Sequence, residues 1–576
     1  MAKILRVNMT NLTVGTPQAE GNYDGLGGRA LTSALVNAEV PPTCHALSNR
    51  NVLVLARGMV SGTAVPCSGR LSVGAKSPLT GTIKESNAGG TAAQALAALG
   101  LDAVVVEGQP KENGAYVLVG SPSGWELVRD DSLRNKSNYP LVDKLFKRFG
   151  KKASIISIGK AGDMRLSSAS VACTDPEGRP NRHAGRGGLG AVMGSKGLKA
   201  VVLLTRGAAR PQPADPQKLA DAAKRFVALL KEHPVTATAL PTYGTNVLAG
   251  IVNAVGGYPT NNFSKGQFVG VDRISGEAQR ETILKRHGRA KHACHPGCTI
   301  ACSRVYVDSK GKYVTKGPEY ETIWALGANC GIDDLDAIAR MDRLCDDIGI
   351  DTIETGATIA VAMEGGLLKF GDAKGAIKLV REVGAGSPLG RIIGSGAKLA
   401  GQAFGVARVP VVKSQALPAY DPRAIKGIGV TYATSTMGAD HTAGYSICQN
   451  VLKVGGSIDP LEPKGQVEIS RNLQIATATI DSLGICLFVA FPVLDKPEAF
   501  QAMLDMTSAV TGKPFGADTF TEMGKSVLRT ERDFNRRAGF TNMDDRLPDF
   551  FRTERLLPHD TVFDVPDAEL DTVFNF

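Results

Sequence analysis

Long apolar runs are missing from this chain. The longest uninterrupted one, Ile485 to Leu494, falls far short of the ~20 residues a membrane-spanning helix requires, so no membrane span is expected. The N-terminal stretch MAKILRVNMTNLTVG has charges but neither an apolar core nor paired arginines. A secretory leader is therefore not expected, and a cytoplasmic, reducing setting is. Charge of one sign is never concentrated: 66 basic and 56 acidic residues leave +10 over 576 positions, with no short window dominated by Lys and Arg. Nucleic-acid binding asks for such a patch and is not expected. The mild positive balance fits solubility, or a face for an acidic partner such as a small electron carrier. Low-complexity segments and internal repeats are also absent, and composition excludes a disordered, collagenous or coiled-coil protein.

The length corresponds to three or four average domains. Residues 1–208 read as β-rich. Short apolar strands recur at Val52–Ala56, Ala103–Glu107, Tyr116–Val119, Ile155–Ile158 and Ala200–Leu204, separated by glycine-rich turns. GAARPQPADP at 207–216 reads as a linker. A helix follows it, with Asp215 as N-cap, Pro216 in the first turn and Leu219, Ala222, Phe226 and Leu230 as its apolar stripe. Further helices are expected near Asp334–Asp347 and Thr352–Met363, and a second break near Val409–Pro422. The expected fold is α+β: a β-rich domain over 1–208, a helical domain over 209–410 and a mainly helical domain over 411–576.

Seven of the ten cysteines are isolated in sequence, but HACHPGCTIACSR places Cys294, Cys298 and Cys302 in a C-x3-C-x3-C run. Three closely spaced thiols can clip one corner of an iron–sulfur cube, whose fourth ligand must come from elsewhere. Pro296 and Gly297 require the run to begin as a loop, after which Cys298 and Cys302 could share a helix face. Three buried cysteines, or a zinc site using His292 and His295, stay open at this point.

Two glycine-rich segments invite a phosphate reading. RHAGRGGLGAVMGSKG fails as a P-loop and as a dinucleotide fingerprint, because its glycines are misspaced for both. Yet Arg182 and Arg186 flank exposed backbone N–H groups, the makings of a phosphate cradle. SGRLSVGAKSPLTGTIKESNAGG repeats the theme with Arg70, Lys76, Asn87, Gly89 and Gly90. No NAD, flavin or haem motif is present.

Together these segments, with LRVNMTNLTV, GPEYETIWALG, DDIGIDTIETG, LPAYDPRAIKGIG, GADHTAGY and DSLGIC in that order, resemble the aldehyde ferredoxin oxidoreductase family. Its members bind tungsten through a pterin. The resemblance runs through nearly the whole chain. It implies that Cys294, Cys298, Cys302 and Cys486 hold a [4Fe-4S] cluster. It implies that Asp346, Asp351 and Asp481 accept hydrogen bonds from pterin rings, and that Arg70 links pterin to cluster. Asn87, Gly89, Ala184, Arg186 and Gly187 are then the backbone and phosphate contacts, with Mg2+ at the phosphates. Glu321 and His441 are the polar pair beside the metal, as base and hydrogen-bond donor. The cofactor is a tungsten bis-pterin, with molybdenum as the other candidate metal.

The implied reaction oxidises an aldehyde to a carboxylic acid with water as oxygen source. Electrons then pass to ferredoxin or a separate iron–sulfur subunit. Two departures stand out. The cysteine run is one residue longer than the family's more familiar C-x2-C-x3-C spacing. No His occurs between His295 and His441, so an inter-subunit iron site of Glu and His is not expected, and homo-oligomerisation is left open. The alternatives are the catalytic subunit of a tungsten benzoyl-CoA reductase-type complex and a non-catalytic iron–sulfur electron-transfer protein.

Overall fold

The computed structural model describes residues 1–576. Seven strands build a first sheet: β1 (Ala2–Asn8), β2 (Thr13–Val14), β3 (Gln18–Glu20), β4 (Leu53–Arg57), β5 (Leu71–Lys76), β6 (Ile83–Ala88) and β7 (Ala103–Glu107). Six build a second: β8 (Tyr116–Ser121), β9 (Gly124–Arg129), β10 (Ser154–Ser157), β11 (Val171–Cys173), β12 (Arg182–Ala184) and β13 (Leu198–Leu203). The strand orders are β2-β1-β7-β4-β5-β6, with β3 also on β1, and β12-β11-β10-β13-β8-β9.

The two sheets share one topology, a repeat the sequence does not show. In each, the first strand lies parallel to the last, β1 with β7 and β8 with β13. That last strand is antiparallel to the next, β4 or β10. An antiparallel ribbon completes the sheet, through β5 and β6 or through β11 and β12. The pattern survives without sequence identity because backbone hydrogen bonds define it, and many apolar residues satisfy the same alternation.

Alternation also sets the layers. Val104 and Val106 of β7 join Leu118, Ile156 and Val201 in a core between the sheets. Ala103 and Val105 point the other way, onto Leu31, Leu35 and Val36 of the helix Gly28–Glu39. Val117, Ile155 and Val202 similarly meet Leu141, Val142 and Leu145 of the helix Asn138–Phe149. The result is a helix–sheet–sheet–helix stack whose strands are apolar on both faces. Each buried aliphatic side chain contributes roughly 1.5–3 kcal/mol.

The rest of the chain is mainly helical. The helix Pro216–Glu232 starts as its sequence dictates: Asp215 accepts from the Lys218 N–H, and Leu219, Ala222, Phe226 and Leu230 are buried. Leu335–Ile348 is capped by Asp334 and stopped by left-handed Gly349. Asp351 caps the helix Thr352–Glu364, which is buried almost throughout. One small sheet interrupts the helices: β14 (Arg289–His292), β15 (Ser303–Val307) and β16 (Tyr313–Lys316). It corrects one expectation, because Cys298 and Cys302 do not share a helical turn. Gly297 and Ala301 both take positive φ, and the branched and aromatic run SRVYV pulls the chain into β15. The largest apolar core runs from Val60 to Val573 and joins both parts of the chain. No helix is long and apolar enough to cross a membrane.

Candidate active site

The C-terminal part of the chain is strapped onto the first sheet by backbone bonds. The helix Gln466–Leu483 ends at Gly484, where a side chain on the facing Gly58 would stand 2.2 Å from the Gly484 Cα. Met59 and Val60 N–H groups donate to the carbonyls of Ser482 and Leu483, at 3.1 and 3.2 Å. The Arg70 N–H donates to Gly484 (3.2 Å), and the Cys486 N–H to Cys67 (2.8 Å). This strap delivers Asp481 and Cys486 to residues far away in sequence.

Cys486 there joins Cys294, Cys298 and Cys302 in lining one cavity of about 280 Å³. The Sγ atoms of Cys294 and Cys298 lie within 4.8 Å of each other and of a His295 ring nitrogen. The cysteine loop is itself tied down: the Gly90 N–H donates to Cys294 O and the Cys67 N–H to Gly297 O, both at 3.0 Å. Gly89 lets the loop pass close by, since a Cβ there would stand 3.2 Å from Cys294 Sγ, a tight contact. Arg70 donates to Cys486 Sγ at 3.7 Å. Burial pushes the Cys302 and Cys486 thiols up, Arg70 opposing it at Cys486. Four converging sulfurs with a cation beside them fit a cluster of thiolate-bound iron.

A second cavity, of about 300 Å³, adjoins the first, sharing Arg70, His183, Lys316 and His441 in its walls. Asn87, Arg186, Asp346, Asp351 and Asp481 all line it. Their carboxylates have protein partners. Asp346 accepts from Lys316 at 2.7 Å and lies 3.3 Å from His183 Nε2. Asp351 is bonded by Arg186 Nε at 3.2 Å, and Asp481 by Asn87 Nδ2 at 3.1 Å. Arg186 also donates to the carbonyls of Ala439 (2.8 Å) and Ala416 (2.6 Å). Ala184 sits within β12, and Gly187 packs on the Lys84 side chain in a left-handed turn that no other residue fits. These two lie behind the cavity wall.

Glu321 lies in the first turn of the helix Tyr320–Leu326, its Oε2 accepting from the Ala419 N–H at 3.0 Å. Its Oε1 is buried without a hydrogen-bond partner, 3.5 Å from His441 Nε2. Burial pushes the carboxyl up to about 8. Burial likewise holds His441 neutral, down to about 4. Beside it, Asp440 stays below the usual carboxylate range, since Lys84 and Arg186 outweigh its burial. Glu321 and His441 share the cysteine cavity, whose wall residues Tyr445, Leu487 and Phe488 also face a third cavity of about 280 Å³. The Tyr420 and Tyr445 hydroxyls are 2.8 Å apart. The third cavity is apolar, walled by residues such as Phe488, Phe491, Phe500 and Leu473.

Sequence reasoning missed several residues of these walls. Arg29 reaches from the helix Gly28–Glu39 to Asp481 (3.4 Å) and is clamped by buried Glu531 at 2.8 and 2.9 Å. Glu85 faces Asp481, and burial pushes both carboxyls up. His183 and Cys67 adjoin motifs already singled out and were findable. Lys316 carries no local signal. The pocket fits a large polar cofactor: buried Glu85 Oε1 and His441 Nδ1 lack hydrogen-bond partners on its walls, and buried polar groups are rarely left so.

Two family models match the chain: the aldehyde ferredoxin oxidoreductase N-terminal domain over residues 4–205, and domains 2 and 3 of the same family over residues 221–572. The chain is 35% identical over 576 residues to a tungsten-containing aldehyde ferredoxin oxidoreductase of Pyrococcus horikoshii, covering 96% of this chain and 91% of the relative. It is 36% identical over 570 residues to the enzyme of that name from Pyrococcus abyssi, covering 95% and 90%. An aliphatic sulfonate oxidoreductase, WOR-like subunit, of Pyrococcus furiosus is 24% identical, covering 92% and 85%. Among solved structures, the active-site complex BamBC of benzoyl coenzyme A reductase with 1,5-dienoyl-CoA shares the fold. Its TM-score is 0.83 at 18% identity, covering 100% of this chain and 93% of that one. By the two domain matches and the identity over nearly its full length, the chain belongs to the aldehyde ferredoxin oxidoreductase family.

Proposed function

We propose that this chain oxidises an aldehyde to a carboxylic acid and passes the electrons outward through an iron–sulfur cluster. The observation carrying this reading is the Glu321–His441 pair, in the four-cysteine cavity, where His441 also lines the carboxylate-rich cavity and the neighbouring Tyr445 lines an apolar one. Asp346, Asp351, Asp481, Asn87 and Arg70 would hold a tungsten bis-pterin, and Cys294, Cys298, Cys302 and Cys486 a [4Fe-4S] cluster. When bound, these groups supply the two-electron oxidation and its division into single electrons.

The chain's own residues handle protons, orientation and water. Glu321 Oε2 is anchored by the Ala419 N–H, which leaves Oε1 to take a proton from water or from the hydrated aldehyde. A carboxyl that ionises near 8 is largely protonated at neutral pH and becomes the base as pH rises toward 8. His441, held neutral, keeps one N–H to offer the substrate oxygen as charge grows there. The apolar cavity gives an aldehyde's hydrocarbon part a dry place and leaves its carbonyl at the polar pair.

Glu321→Gln tests the assignment. It should leave tungsten and iron contents intact and lower aldehyde-dependent dye reduction by roughly 10²–10⁴-fold. Turnover equal to that of the unmodified enzyme would remove Glu321 as the base. The fold shared with the BamBC complex supports a second reading, the catalytic subunit of a benzoyl-CoA reductase-type complex. Benzoyl-CoA reduction without aldehyde oxidation by the same preparation would favour it.

A further inference from the structure

The loop from Cys294 to Cys302 has two faces. Its cysteines line the inner cavity, whereas Pro296, Gly297 and Thr299 are exposed and form one wall of a surface groove of about 930 Å³. On either side of Cys298 the same loop lines both groove and cavity, and Cys67 braces it. The Cys67 N–H donates to Gly297 O at 3.0 Å, and Cys67 Sγ lies 3.3 Å from Thr299 Oγ1.

The groove also carries unpaired positive charge. Lys151, Lys152 and Arg210 line it, are exposed and have no ion-pair partner. The one carboxylate in its walls, Asp175, is buried and accepts from the N–H groups of Glu177 (3.0 Å) and Arg179 (2.9 Å). Glu177 next to it is committed to His292 and Arg289. Much of the remaining wall is Gly, Pro, Ser, Thr and Ala, which admits a partner's backbone closely. Unpaired cations around a concave surface focus a positive field, which steers an acidic protein to it.

We infer that this groove is the docking surface for a small acidic iron–sulfur carrier protein, which collects electrons across residues 296–299. The inference rests on the reading that the four cysteines hold a cluster.

The test uses the full-length, metal-loaded enzyme and an acidic [4Fe-4S] ferredoxin, with Lys151→Glu, Lys152→Glu and Arg210→Glu combined. Binding is measured by calorimetry at low and high salt, and turnover with ferredoxin and with methyl viologen. Ferredoxin affinity at low salt should fall on the order of tenfold or more, and its salt dependence should flatten. Viologen turnover and iron content should stay within twofold. The Gln triple variant should weaken binding in the same direction, and it serves if charge reversal impairs folding. Unchanged ferredoxin affinity in both variants would overturn the inference. Absence of aldehyde-dependent viologen reduction in the unmodified enzyme would instead sink the proposed reaction, while the binding measurement still judges the groove.

Discussion

The two halves of the N-terminal β domain share a strand topology and carry equivalent glycine-rich turns after β6 and β12, yet their arginines have different work. Arg186, in the second half, has Nε on Asp351, Nη1 on Ala439 O and Nη2 on Ala416 O. Arg70, in the first half, has one side-chain contact, a long one to Cys486 Sγ, and stands in the wall shared by two cavities. One arginine staples the helical part of the chain to the sheets, and the other keeps its guanidinium largely uncommitted in the cavity wall. The two arginines stand at different places in their halves, Arg70 just before β5 and Arg186 just after β12, and their hydrogen-bond partners distinguish their roles.

Exchanging the roles' supports should separate them. The largest stability effect is expected at Arg186→Ala, which leaves the buried Asp351 and Glu354 carboxylates without their cation. Breaking a buried pair in this way costs about 3–5 kcal/mol, readable by urea unfolding of the metal-free protein. Arg186→Lys should recover little, because an ammonium cannot reach three divergent partners in a plane. A loss of under ~1 kcal/mol would put Arg186 in the ligand class instead.

Arg70→Ala should have the opposite profile. Metal-free stability should change less than in Arg186→Ala, while the cluster's reduction potential should become more negative, because a cation beside Cys486 is gone. Redox titration followed by electron paramagnetic resonance checks this. An unchanged potential would break the comparison.

The third and smallest effect is one of pH. Asp351 has a cation partner, whereas Glu321 faces only the neutral His441 ring. Glu321 ionises at about 8 in the folded chain against 4.5 as its ordinary value. Between those values the folded state holds a proton that the unfolded state lacks, so Glu321 makes stability fall as pH rises from 4.5 to 8. His441 acts oppositely at lower pH: its folded value of about 4 lies under 6.5, so its contribution is lost as pH falls from 6.5 to 4. Glu321→Gln should flatten the stability profile between pH 4.5 and 8, and turnover of the unmodified enzyme should rise toward pH 8. A profile unchanged by the substitution would mean that Glu321 is ionised throughout.

The strands of the first 208 residues and the Asp215-capped helix were legible because alternation, branching and capping are local. The topological repeat was not, since it lies in which strands pair. Glu321, His441 and Cys486 became readable only through the order of motifs along the whole chain. Cys486 taken alone is a small residue in an apolar run, and it reaches the other cysteines only through the strap at 482–486. Lys316 and Arg29 stayed invisible, because a lone cation in a strand or helix carries no sign of the carboxylates folding will bring to it. The helical placement of Cys298 and Cys302 failed for a local reason: positive φ at Gly297 and Ala301 breaks the turn.

The central claim is that one chain holds a tungsten pterin and an iron–sulfur cube in adjoining cavities. Elemental analysis of protein purified without oxygen, from cells supplied with tungsten and molybdenum, tests it most directly. The account predicts about one tungsten and about four iron per chain. Iron with neither tungsten nor molybdenum would contradict it and leave an electron-transfer protein in its place.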